Sequence, residues 1–141
     1  MYVDRSGDMR EQTTPYSVII NALENFPGLH TVILFGSIAS GKANMDSDLD
    51  LAVDFGKTMS AQQKIKLISN LAEATGRPID LIDLASVGEP LLGQILQGGK
   101  RLIGSNRDFA VLLSKHLGNE ADFMPYYRRL LKQRRKAWIG M

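Results

Sequence analysis

The sequence predicts an α+β domain of mixed α/β order, in which a small mixed sheet is flanked by helices and extra helices follow at the C-terminal end. Two observations predict it: segments with helical spacing of apolar residues alternate with short β-rich or two-periodic runs, and Gly, Pro, Ser and Asn clusters separate them.

Pro15 to Asn25, with Phe26 just beyond, sets Val18, Ile19, Ala22, Leu23 and Phe26 at helical spacing before Pro27-Gly28 stops the run. Thr31 to Phe35 is a short β-rich strand ending at Gly36, followed by a tight turn. From Leu49 to Phe55 the residues alternate, with Leu49, Leu51, Val53 and Phe55 on one face and Asp48, Asp50, Ala52 and Asp54 on the other. This second strand is therefore expected to bury the first face and to show carboxylates on the second, with Asp54 solvated. Ser60 is placed to cap a helix through Thr75 whose apolar side is Ile65, Leu67, Ile68, Leu71 and Ala72, with Gly76 ending it. Pro78 to Leu84 is a third strand, Pro90 to Gln97 a short helix closed by Gly98-Gly99, and Lys100 to Ile103 a short strand. Helices are then expected at about Asn106 to Leu117 and Asp122 to Ile139. No internal repeat or long linker splits the chain, so residues 1–141 read as a single domain, with a core over about 14–104 and a C-terminal helical extension over 105–141.

Composition narrows the function classes. At 141 residues the chain is long enough to bury a core without staples, and its 44% hydrophobic and 23% charged residues are those of a globular protein. Cysteine is absent, which excludes disulfides, thiolate metal sites and a cysteine nucleophile. No apolar run reaches the ~20 residues that span a bilayer, and the N-terminus lacks the pattern of a secretory signal, so a cytoplasmic protein is expected. The net charge of +2 hides an asymmetry: residues 1–99 hold seven Lys/Arg against twelve Asp/Glu, and residues 100–141 hold ten against three. The run YYRRLLKQRRKAWIG concentrates the basic end; it reads as an amphipathic helix with Tyr127, Leu130, Leu131 and Trp138 on one side, either solvated or facing a protein partner, with nucleic-acid contact the weakest alternative.

The chemistry is carried by FGSIASGKANMDSDLDLAVDF, residues 35–55. Gly36 to Ala43 nearly meets the phosphate-binding pattern G-x-x-x-x-G-K-[ST], but Ala43 has no hydroxyl for magnesium and no substantial helix fits before Leu49. Asp46, Asp48 and Asp50 could open a calcium loop, yet such a loop needs Gly and Glu where Leu51 and Lys57 stand. The third reading keeps Gly36-Ser37 with Asp48-x-Asp50. On a strand, positions two apart point the same way, so both carboxylates face one space at a spacing suited to hard divalent cations. Glycine lets the backbone amides of Gly36 and Ser37, with the serine hydroxyl, approach the phosphates of a nucleotide. Asp46 is then a turn former, and His30 and His116, which have no partner pattern, are assigned no role.

The pattern GS, ten residues, then DxD resembles the nucleotidyltransferase signature of the polymerase-beta superfamily. Arg77-Pro-Ile-Asp-Leu-Ile-Asp-Leu84 and Pro90-Leu-Leu-Gly-Gln-Ile-Leu-Gln-Gly98 extend the resemblance, from about Thr31 to Ile103, to the minimal nucleotidyltransferases. The resemblance implies the nucleotidyltransferase fold and a third carboxylate on the neighbouring strand. Asp80 and Asp83 are the candidates; alternation puts them on opposite faces, and the family pattern favours Asp80, leaving Asp83 solvated or capping at the strand end. It further implies catalytic and metal-binding roles for Asp48, Asp50 and Asp80, two Mg²⁺ ions, ATP as donor, and nucleotide contacts from Gly36 and Ser37. Where relatives often carry arginine this chain has Ser40, and Lys42 is the residue able to supply that charge. The function implied is that of an antitoxin that transfers AMP from ATP to a tyrosine of a HEPN-type ribonuclease toxin. A small-molecule nucleotidyltransferase of the aminoglycoside type and a non-catalytic toxin-binding module are the alternatives.

Overall fold

The computed structural model describes residues 16–36 and 47–120. Its elements are α1 (Tyr16–Leu23), β1 (Thr31–Phe35), β2 (Leu49–Asp54), α2 (Ala61–Thr75), β3 (Ile79–Asp83), α3 (Leu91–Gly98), β4 (Lys100–Ile103) and α4, a helix over 106–120. The expected start of the first helix at Pro15, and the whole of the expected helix from Asp122 to Ile139 with its basic run, lie outside the described residues.

The four strands form one mixed sheet in the order β3-β2-β1-β4. β1 pairs antiparallel with both β2 and β4, whereas β2 and β3 run parallel. A parallel pair needs a crossover, and α2 supplies it. Ser60 begins α2 with a capping box: its Oγ accepts from the Gln63 amide at 3.1 Å, and the Gln63 side chain accepts from the Ser60 amide at 3.0 Å. Gly76 ends the helix in the left-handed conformation, its N–H donating to the Ala72 carbonyl at 2.9 Å.

Alternation decides which side chains meet which helices. Val32, Leu34, Leu49, Leu51, Val53 and Leu81 form one face and pack with Ile19, Leu23, Leu67 and Leu71 of α1 and α2. Ile33, Ala52 and Leu84 face the other way and pack with Leu92, Ile95 and Leu96 of α3 and Leu112 of α4. Gly99 permits that second layer to sit close, because a side chain there would collide with Ile33 and with the Ile95 carbonyl.

The second layer corrects the expectation for β2. Its carboxylate face is not left to solvent along its length: Ala52 is fully buried, and Asp54 is 8% exposed with its Oδ1 accepting the Gly56 amide at 2.8 Å. Burial without a hydrogen bond would be costly for a carboxylate, and that turn amide offsets it. The helix expected to stop at Leu117 instead runs through Gly118 to residue 120, where Glu120 Oε2 reaches His116 Nε2 at 3.5 Å.

Candidate active site

The antiparallel β1–β2 pair and the parallel β2–β3 pair bring the end of β1 together with the starts of β2 and β3. Phe35 is the Cα partner of Asp50, and Asp50 is the Cα partner of Asp80. Partners across a sheet point to the same face, so the two carboxylates stand side by side on the α3–α4 side of the sheet. Asp48 is exposed just ahead of β2, Asp50 is half-buried, and Asp80 is exposed. Gly36 follows Phe35 with a φ of +76°, and a Cβ built there would overlap the Asp50 carboxylate. Only glycine both turns the chain at this point and lets its backbone lie against Asp50.

This crowding shows in the titration of Asp50. Its carboxyl is raised above the usual aspartate value by burial first, then by the charge of Asp80, by a hydrogen bond with Asp80 and by the charge of Asp48. The gathered negative charge makes this a place that favours a cation. The donor set fits a hard divalent cation. Among the described residues no three His, Asp or Glu side chains are gathered around one point. Mg²⁺ is commonly held by one or two carboxylates together with substrate phosphates, and the Asp50–Asp80 pair offers that number.

The other expected residues divide as follows. Asp83 lies away from the site: its Oδ2 accepts the Met59 amide at 2.8 Å and its Oδ1 accepts the Ala85 amide at 3.0 Å, so it caps the strand end. Ser37, Lys42 and the turn residue Asp46 lie outside the described residues. His116, assigned no partner from the sequence, is buried, with Nδ1 at 2.8 Å from Glu89 Oε1. It joins α4 to the loop before α3, and Lys115 Nζ adds bonds to the Leu84 and Ala85 carbonyls at 3.2 and 3.3 Å. Sequence reasoning also passed over Arg77, which is buried beside the start of β2; the signal available was a lone arginine between a helix-ending Gly76 and a strand-opening Pro78.

The family model for the polymerase beta nucleotidyltransferase domain matches residues 17–108, which span α1 through the start of α4 and include Asp48, Asp50 and Asp80. The chain belongs to this family. As a nucleotidyltransferase it is 33% identical over 98 residues to the protein adenylyltransferase MntA of Shewanella oneidensis, a match covering 70% of each chain. Its fold is similar to a toxin–antitoxin crystal structure with AMP-PNP, at 28% identity and a TM-score of 0.73, covering 84% of this chain and 96% of that one. It is also similar to the complex of a tri-AMPylated Shewanella oneidensis HEPN toxin with its MNT antitoxin, at 30% identity and a TM-score of 0.60, covering 82% and 95% of the two chains. No described helix of the nucleotidyltransferase is long and apolar enough to cross a membrane.

Proposed function

We propose that this nucleotidyltransferase is a Mg²⁺-dependent protein adenylyltransferase and antitoxin, which transfers AMP from ATP to a tyrosine of a cognate HEPN-type ribonuclease toxin and so neutralises it. The observation that carries the reading is the juxtaposition of Asp50 with Asp80 on one side and with Gly36 on the other, in a chain 33% identical to a protein adenylyltransferase. The AMPylated toxin in the similar complex supports the choice of acceptor class. Such a reaction belongs in the cytoplasm, which supplies ATP.

Asp48 and Asp50 would hold two Mg²⁺, with Asp80 contributing to one of them. Bound there, the ions would supply Lewis-acid stabilisation of the charge on the nucleotide phosphates. The backbone of Gly36 and Ser37 and the Ser37 hydroxyl hold the phosphates, and Lys42 supplies positive charge beside them. Asp80 would receive the proton of the incoming tyrosine hydroxyl. The tyrosine oxygen bonds to the α-phosphorus, the bond to the bridging oxygen breaks, and pyrophosphate leaves.

The test mixes the chain with the product of its neighbouring gene, ATP and Mg²⁺, and reads the intact mass of that partner. Adenylyl increments are expected, and they should vanish when Asp48 and Asp50 are replaced by Asn. A stable complex that carries no increment, or toxin neutralisation that survives the double replacement, would favour the non-catalytic binding module. Drug resistance conferred by this gene without its neighbour would favour a small-molecule acceptor.

A further inference from the structure

We infer that Arg77 is a positioning residue, one that ties the chain just ahead of Asp48 to the start of β3 and so helps set how Asp48 and Asp50 stand relative to Asp80. The inference rests on the reading of these carboxylates as the metal-binding set.

Arg77 is 6% exposed, the only Lys or Arg so deeply covered among the described residues. A guanidinium is costly to bury unless its donors are used. Its Nη1 donates to the Ser47 carbonyl at 3.2 Å, across thirty residues of sequence. Ser47 immediately precedes Asp48. On the other side of Asp48, the Leu49 amide donates to the Pro78 carbonyl at 2.8 Å. Asp48 is therefore held between two ties, one from the Arg77 side chain and one from the backbone of the next residue. The register that makes Asp50 the partner of Asp80 begins at the adjacent pair, Leu49 with Ile79. A tie at this end thus acts on all three carboxylates.

Arg77 is itself fixed from α2. Its amide donates to Thr75 Oγ1 at 3.3 Å, and the Thr75 hydroxyl donates to the Leu71 carbonyl at 2.7 Å. The clamp is anchored in the packed end of a helix, with Leu71 fully buried. Groups that hold ligands from behind in this way commonly change metal affinity by about 10–100-fold when removed. A lysine could keep the charge but not the rigid fork, so Arg77→Lys is an informative replacement.

The experiment measures Mn²⁺ affinity by calorimetry, together with thermal unfolding and AMP transfer, for wild type, Arg77→Lys and Arg77→Gln. Ser60→Ala, at the opposite end of α2, controls for lost stability alone. The expected result is a folded Arg77→Lys protein whose Mn²⁺ affinity is at least about tenfold weaker, with a parallel fall in kcat, while Ser60→Ala binds Mn²⁺ like wild type. Wild-type affinity in Arg77→Lys and Arg77→Gln overturns the inference, as does failure of both to fold, which would make Arg77 purely structural. A wild-type chain that binds no Mn²⁺ overturns the reading of the carboxylates themselves, and the inference falls with it.

Discussion

Asp50 and Asp80 are direct partners across the parallel β2–β3 pair, and burial, followed by the charge and the hydrogen bond of Asp80, holds the Asp50 carboxyl above its usual range. In the absence of a cation this arrangement opposes folding. A carboxyl whose pKa is raised in the folded state contributes most below its unfolded value, and that contribution is lost as pH rises through the folded one. Asp50→Asn should therefore leave the metal-free protein at least as stable as wild type at pH 7. Mg²⁺ should raise the unfolding temperature of wild type but not of the variant, and transfer should fall by roughly 10³-fold or more. Thermal melts with and without Mg²⁺ check the first point, and partner modification rates the second.

Gly36 has no room for a side chain. Gly36→Ala should cost about 1–2 kcal/mol for the left-handed backbone alone, and its Cβ should displace the Asp50 carboxylate. Displacement of a reacting group by about 1 Å commonly costs ~10²-fold in rate. Urea unfolding and kcat, compared on one preparation, test both; an alanine variant with wild-type turnover would show that Asp50 does not need the close backbone approach.

Asp80 and Asp83 separate function from stability. Asp83→Ala removes the acceptor of two backbone amides and should cost about 1–3 kcal/mol while a folded sample keeps its kcat. Asp80→Ala, at an exposed position, should change stability by about 0.5 kcal/mol or less and abolish transfer. Equal loss of kcat in the two variants would mean that the assignment of the third carboxylate is wrong.

The Glu89–His116 contact predicts a response to acid. Burial alone would raise the Glu89 carboxyl, but the hydrogen bond from His116, the Gly93 amide, the His116 charge and Asn119 together hold it below its usual value. A depressed carboxyl stabilises above its unfolded pKa, and the benefit is lost as pH falls through the folded one. Glu89→Gln should be less stable than wild type by about 1–2 kcal/mol at pH 7, and the gap should close below about pH 4. Denaturation midpoints measured from pH 3 to 7 follow the difference directly. A gap that stays constant with pH would mean that the carboxylate charge does not hold α4 in place.

Much of this protein follows from local rules. Alternation through Leu49, Leu51 and Val53 identified a strand and its core face, Ser60 and Gly76 marked both ends of α2, and the Gly36 and Asp48-x-Asp50 spacing pointed to the site. These signals are readable because side-chain direction in a strand and capping in a helix depend on neighbours only a few residues away. Pairing register is not local. Alternation by itself left both Asp80 and Asp83 available, and the sheet decided between them by setting Asp80 beside Asp50 while Asp83 turned to the Met59 and Ala85 amides. The same holds for Asp54, read as solvated but buried in the fold, and for His116, whose partner Glu89 lies 27 residues away in sequence. The sequence determined which residues carry charge and which elements they sit on; only the packing of those elements decided which charges meet, because burial and contact depend on segments far apart in the chain.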